Sequence, residues 1–226
     1  MNPRPANPLI VALDVPDLPR AEVLAGELAG EVALLKVGLE LFCAHGPDAV
    51  HAIGRHAPVF LDLKLHDIPN TVAGAARRCG ALGVAMLTVH ASGGSEMIAA
   101  AVRGAREGAE GAGVAPPSII AVTVLSSLGE GSASSVALAE TARDAGADGV
   151  VVSGPDVAAV RSALGRDAAL VVPGIRPNDA PAHDQVRVLT PMEAVAAGAD
   201  WLVVGRPITG ARNPATAARA LVASAR

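Results

Sequence analysis

The chain has 226 residues, of which 51% are apolar and 18% charged, with a net charge of -4. That is enough apolar material for a sizeable core, and it excludes a disordered chain. Two Phe, one Trp and no Tyr leave the core to Ala, Val, Leu and Ile, and no Lys/Arg-dense run is present, so nucleic acid and anionic membrane surfaces are excluded as partners.

In chain order, the opening MNPRPANP lacks the apolar h-region of a signal peptide, which leads to the expectation of a cytoplasmic protein. Short β-branched runs then recur: LIVALD (9–14), ALLKVG (33–38), VFLDLK (59–64), VAMLTVH (84–90), IIAVTVL (119–125), GVVVSG (149–154), ALVVPG (169–174) and WLVVGR (201–206). Between them lie Ala-rich segments with helical spacing, such as AEVLAGELA, TVAGAARRCGALG, SEMIAAAVRGAREG and SSVALAETARDAG, several ending at Gly. Near-continuous apolar strands alternating with helices predict a parallel sheet covered on both faces. Eight such units predict a single-domain (β/α)8 TIM barrel over 1–226, in the α/β class, rather than an open doubly wound sheet; no GxGxxG follows the first strand.

Four local features stand out along the chain. The charge-free stretch 111–129 contains Pro116 and Pro117, and its apolar centre is too short to span a bilayer. Cys43 and Cys79 carry no disulfide inference and are expected as buried small hydrophobes. AGADGVVVSG (145–154) and AGADWLVVGR (197–206) resemble each other two βα units apart. The polar, Pro-rich connection 173–190 is long for a compact domain and is expected to be a lid; it ends in Thr190-Pro191-Met192-Glu193, a capping-box start to a helix.

Active sites of such barrels lie at the C-terminal ends of the strands. There Asp14 closes the first run, Lys36 lies in the second, and Asp62 and Lys64 lie in the third. Side chains alternate along a strand, so Asp62 and Lys64 share a face while Leu61, Leu63 and Leu65 point toward the helices. One reading is a buried ion pair that fixes the fold. The other is catalytic, and the cation usage favours it: the chain has 16 Arg and two Lys, and both Lys stand at strand ends. Lysine can surrender a proton where arginine cannot. Asp67, before Pro69, suits a helix N-cap as well as it suits catalysis. The six His show no metal-ligand spacing, and no metal is expected. PGIR (173–176) and VVGRPIT (203–209) end the last two runs with Gly-X-Arg and Gly-Arg, which fits the phosphate site that barrels build after strands 7 and 8.

These segments, together with LLKVGLELF (34–42), FLDLKLHDIPNTV (60–72), TVHASGG (88–94), IIAVTVLSS (119–127), VVPGIRP (171–177) and HDQVRV (183–188), resemble the orotidine 5'-phosphate decarboxylase family over nearly the whole chain. The resemblance implies decarboxylation of orotidine 5'-phosphate to UMP without a cofactor. It implies that Asp14 and Lys36 hold the ribose hydroxyls, and that Lys36, Asp62, Lys64 and Asp67 form an alternating charged array with Lys64 as proton donor. Asp67 and Thr71 would reach into the partner subunit's site, making a homodimer. Ser126 would meet the pyrimidine in a position where the family often has Thr, and Arg176, Gln185, Gly205 and Arg206 would stand on the phosphate side, with Gln185 on the mobile loop. Two other functions fit part of the pattern: a Mg-dependent sugar-phosphate enzyme of the same superfamily, which needs a carboxylate where this chain has Lys36, and a non-catalytic phosphate-binding barrel, which has no use for the charged array.

Overall fold

The computed structural model describes residues 5–124, 132–176 and 189–225. Eight parallel strands, β1 (Leu9–Ala12), β2 (Leu34–Gly38), β3 (Val59–Leu65), β4 (Met86–His90), β5 (Ser118–Val122), β6 (Gly149–Val151), β7 (Ala169–Val172) and β8 (Trp201–Val204), pair in chain order, and β8 returns to β1. The sheet is therefore a closed barrel, as the eight runs predict. Several runs leave the ladder a residue or two before their ends, and those residues form the rim.

The outer layer comprises α1 (Leu18–Leu28), α2 (Leu39–His45), α3 (Pro47–Gly54), α4 (Pro69–Gly80), α5 (Gly94–Ala112), α6 (Ser132–Asp144), α7 (Val157–Leu164), α8 (Pro191–Ala197), α9 (Arg206–Thr209) and α10 (Pro214–Ala223). The β2–β3 connection holds two helices because Gly46, at φ 57, turns the chain left-handed and Pro47 starts the next helix. Helix α8 opens with the expected capping box, Thr190 and Glu193 satisfying each other's backbone N–H groups. Helices α4 and α5 pack backbone to backbone: a Cβ at Gly104 would stand 2.3 Å from the Ala73 carbonyl oxygen, and one at Gly108 1.9 Å from that of Arg77. Cys79 is buried on α4 as expected, but Cys43 is exposed, because it falls on the solvent side of the short α2. No helix of the described residues is long and apolar enough to cross a membrane.

Strand alternation divides the core in two. Leu9, Val11, Leu35, Val37, Leu61 and Leu87 face the helices, whereas Ile10, Leu34, Phe60, Met86, Ile120 and Val171 fill the barrel and plug it. At the N-terminal mouth the AGAD repeat has a physical basis. Asp148 accepts a hydrogen bond from the Ile119 N–H at 2.8 Å, and Asp200 accepts one from the Leu170 N–H at 2.8 Å. Each aspartate thus ties the start of its own strand to a neighbouring one, after a left-handed glycine, Gly146 or Gly198, has ended the preceding helix.

Candidate active site

The charged residues form the layer directly above the apolar plug. On each strand the residue two places beyond the plug points to the same interior: Ala12 follows Ile10, Lys36 follows Leu34, Asp62 follows Phe60 and Thr88 follows Met86. Register brings them to one side, since Ala12 lies across from Lys36, and Gly38 across from Asp62. A cavity of about 490 Å³ stands on this floor, lined among others by Asp14, Lys36, Asp62, Lys64, Arg176 and Arg206.

Four charges make one chain of contacts. Lys36 Nζ donates to Asp14 Oδ1 at 2.9 Å and lies 3.6 Å from Asp62 Oδ2. Lys64 Nζ donates to the same Asp62 Oδ2 at 2.7 Å. The other oxygen, Oδ1, accepts from the Thr88 hydroxyl at 2.9 Å. Burial alone would favour the neutral acid of Asp62, but Lys36 and then Lys64, helped by the hydrogen bonds from Lys64 and Thr88, outweigh it and hold its pKa below the ordinary carboxylate value. Asp62 is therefore an anion in a site where Lys36 is also buried and Lys64 is half-buried. His90, at the end of β4, stacks obliquely on His66 with ring centroids 5.3 Å apart. Burial, then the proximity of His66 and Lys64, lowers its pKa against the opposing pull of Asp62, so it adds no proton of its own near pH 7.

Alternation holds through β3, with Asp62 and Lys64 lining the cavity and Leu61, Leu63 and Leu65 packed on the helix side, but the regular ladder breaks around Lys64. The β3–β4 register runs Leu61↔Leu87 and then Leu65↔Val89, so β3 carries two more residues than β4 across that interval. Lys64 absorbs the excess at φ 50, and among the described residues no other non-glycine has a positive φ. This left-handed conformation costs a non-glycine residue about 1–2 kcal/mol, and such strain collects at functional sites.

Opposite the lysines, the ends of β7 and β8 supply the second wall. Gly174 is left-handed at φ 76, and Gly205 caps the single turn of α9, which begins at Arg206. Arg176 is buried and Arg206 exposed, and both line the cavity.

The structure thus gathers Asp14, Lys36, Asp62, Lys64, Arg176, Gly205 and Arg206 around one cavity. Asp67 and Thr71 lie outside it, in the exposed run His66–Thr71. Asp67 is not the N-cap of α4: Ile68 is, without a side-chain bond, because a residue preceding proline is driven to extended backbone and Pro69 takes the first helical position. The Asp67 carboxylate instead accepts from the Ile68 N–H at 2.6 Å. Ser126, Gln185 and the centre of the expected lid lie outside the described residues. Sequence reasoning missed two positions. Thr88 is fully buried against Asp62, and its place two residues past Met86 was the available signal. At Gly38, a Cβ would come within 2.9 Å of Asp14 Oδ1 and 3.0 Å of Lys36 Nζ, so a side chain there would push into the Lys36–Asp14 pair.

Comparison with known proteins identifies the family and the fold. A protein from Anaeromyxobacter sp. (strain K) named orotidine 5'-phosphate decarboxylase is 55% identical over 97% of this chain and 99% of its own length. One of the same name from Moorella thermoacetica is 49% identical over 95% of this chain and 90% of its own length. The crystal structure of orotidine 5'-phosphate decarboxylase from Lactobacillus acidophilus superposes with a TM-score of 0.82 at 34% identity, covering 97% of this chain and 99% of that one. Residues 7–221 match the family described as orotidine 5'-phosphate decarboxylase / HUMPS, and the chain belongs to that family.

Proposed function

We propose that the chain decarboxylates orotidine 5'-phosphate to UMP, the last step of de novo pyrimidine synthesis, with no cofactor and with Lys64 as proton donor. The observation that carries the reading is a single carboxylate oxygen, Asp62 Oδ2, shared by two lysine ammonium groups on the floor of a cavity whose far wall carries Arg176 and Arg206. The phosphate would sit between Gly174, Arg176, Gly205 and Arg206, and the ribose hydroxyls against Asp14 and Lys36, which places the pyrimidine over Asp62 and Lys64.

In the reaction the bond between C6 and the carboxylate breaks, CO2 leaves, and the electron pair stays on C6. A carbanion there has no conventional electron sink, so electrostatic stabilisation must come from the protein. Lys64 supplies it and then transfers a proton from Nζ to C6, leaving a neutral amine that solvent reprotonates. Asp62 faces the departing carboxylate, and two such charges about 4 Å apart repel by about 4 kcal/mol at an effective dielectric of 20. Binding of the remote phosphate contributes to ordering the site and excluding water at C6. Lys36, buried and bonded to Asp14, puts a cation where the Mg-dependent rivals require a carboxylate, which supports metal-free chemistry.

The same proposal includes a cytoplasmic homodimer. The support for the dimer is the exposed run His66–Thr71 beside the cavity, in which Ile68 is 65% exposed; a partner's Asp67 and Thr71 would complete each array. The test is loss of orotidine 5'-phosphate absorbance on adding purified protein, with and without EDTA. Turnover that persists in EDTA is expected; turnover that requires added metal ion, or no turnover, overturns the reading.

A further inference from the structure

We infer that Thr88 is a positioning residue that locks Asp62 and the backbone of Lys64 into one geometry through a single hydroxyl. The inference rests on the decarboxylase reading for its kinetic consequence, but its structural basis is independent of it. The two extra residues that β3 carries between Leu61 and Leu65 take the Lys64 N–H out of the β3–β4 ladder. A buried backbone N–H without a partner is costly, and here the missing carbonyl is replaced by the Thr88 Oγ1, which accepts from Lys64 N at 2.8 Å. The hydroxyl's own proton goes to Asp62 Oδ1 at 2.9 Å.

One oxygen atom thereby performs two tasks. It holds Lys64 in the left-handed conformation at φ 50, from which Nζ reaches Asp62 at 2.7 Å. It also fixes the carboxylate plane of Asp62, so that Oδ2 rather than Oδ1 is presented to both lysines. Thr88 is fully buried and one layer above the Met86 plug, so it has no route to solvent that would compete for either bond. Thr88 does not line the cavity; its hydroxyl acts through Asp62 and Lys64, which do.

Without the hydroxyl, Asp62 Oδ1 loses its donor, the carboxylate is held by the lysines at Oδ2 alone, and Lys64 can relax toward the extended conformation that a strand residue prefers. Misplacement of a catalytic group by about 1 Å lowers turnover by about 10²-fold. The test compares Thr88→Val, Thr88→Ala and Thr88→Ser. Valine keeps the β-branched shape while removing both bonds, and serine keeps the hydroxyl. The expected result is a kcat about 10²-fold lower for the valine and alanine variants, UMP binding retained in all three, and kcat largely restored by serine. Crystal structures are expected to show Lys64 leaving the left-handed region in the valine variant and keeping it in the serine variant. Should the valine variant fail to fold, the alanine–serine pair decides by the same readouts. Alanine or valine variants with the kcat of serine and an unmoved Lys64 overturn the inference. If the wild-type chain shows no turnover of orotidine 5'-phosphate, the proposed function fails, while the crystallographic comparison still decides the role of Thr88.

Discussion

Aspartate is used in opposite ways at the two mouths of the barrel. At the N-terminal mouth, Asp148 and Asp200 each accept from a backbone N–H of a neighbouring strand, and Asp200 also pairs with Arg161, whose guanidinium caps the Gly198 carbonyl. These carboxylates end in strand backbone and in a guanidinium that never releases its proton. At the C-terminal mouth, Asp14 and Asp62 face ammonium groups, and Asp62 shares one oxygen between two of them. The same side chain closes the sheet at one end and creates a field at the other. The difference lies in the partners: neutral amides and arginine below, lysine above.

That contrast can be broken by mutation. The largest effect is expected for Lys64→Ala, where turnover falls by roughly 10⁵-fold, combining loss of the proton donor with loss of charge stabilisation. Stability, read by urea unfolding, moves by only about 1 kcal/mol because this ammonium is partly solvated. Comparable turnover in the variant would remove Lys64 from the mechanism. Asp200→Ala should do the reverse, costing about 3 kcal/mol by removing the counter-ion of Arg161 and the acceptor of the Leu170 N–H, with kcat/KM unchanged when the folded enzyme is assayed.

Smaller effects sharpen the picture. The Gly38 backbone, at φ -94 and ψ -176, is open to any residue, so Gly38→Ala should leave thermal stability intact or slightly raised. Its methyl displaces the Lys36–Asp14 pair, and a loss of about tenfold in kcat/KM is expected. The subtlest test is the acid limb of stability. Because the Asp62 pKa is lowered in the native state, its contribution is complete above the unfolded value of about 3.9 and is lost as pH falls from there through the native value, where unfolding takes up a proton. Urea titrations in that range should show stability declining with acid, and the slope should flatten in Asp62→Asn.

Much of this was legible in the sequence for simple reasons. Parallel strands buried on both faces must be continuous apolar runs, and all eight runs became strands; charges inside such runs, at Lys36, Asp62 and Lys64, are costly to bury, and they pointed to the candidate site, where the three line one cavity. The AGAD repeat was visible too, although its meaning, a helix stop followed by a strand tie, appears only when Ile119 and Leu170 are placed in space. The bulge at Lys64 had no such marker. Left-handed backbone is announced by glycine, and here a lysine adopts it because a threonine 24 residues away holds its N–H. Asp67 misled as a cap because the proline restriction shifts the helix start by one residue. Cys43 misled because a helix of seven residues buries little of itself.

The scarcity of lysine has a practical corollary. Apart from its α-amino group, the chain offers an amine-directed reagent only Lys36 and Lys64, both lining one cavity. Their side chains are 9% and 30% exposed, so acylation should mark Lys64 first. A single mass increment in a peptide map, suppressed by UMP, would then report occupancy of the cavity by labelling alone, with no engineered tag.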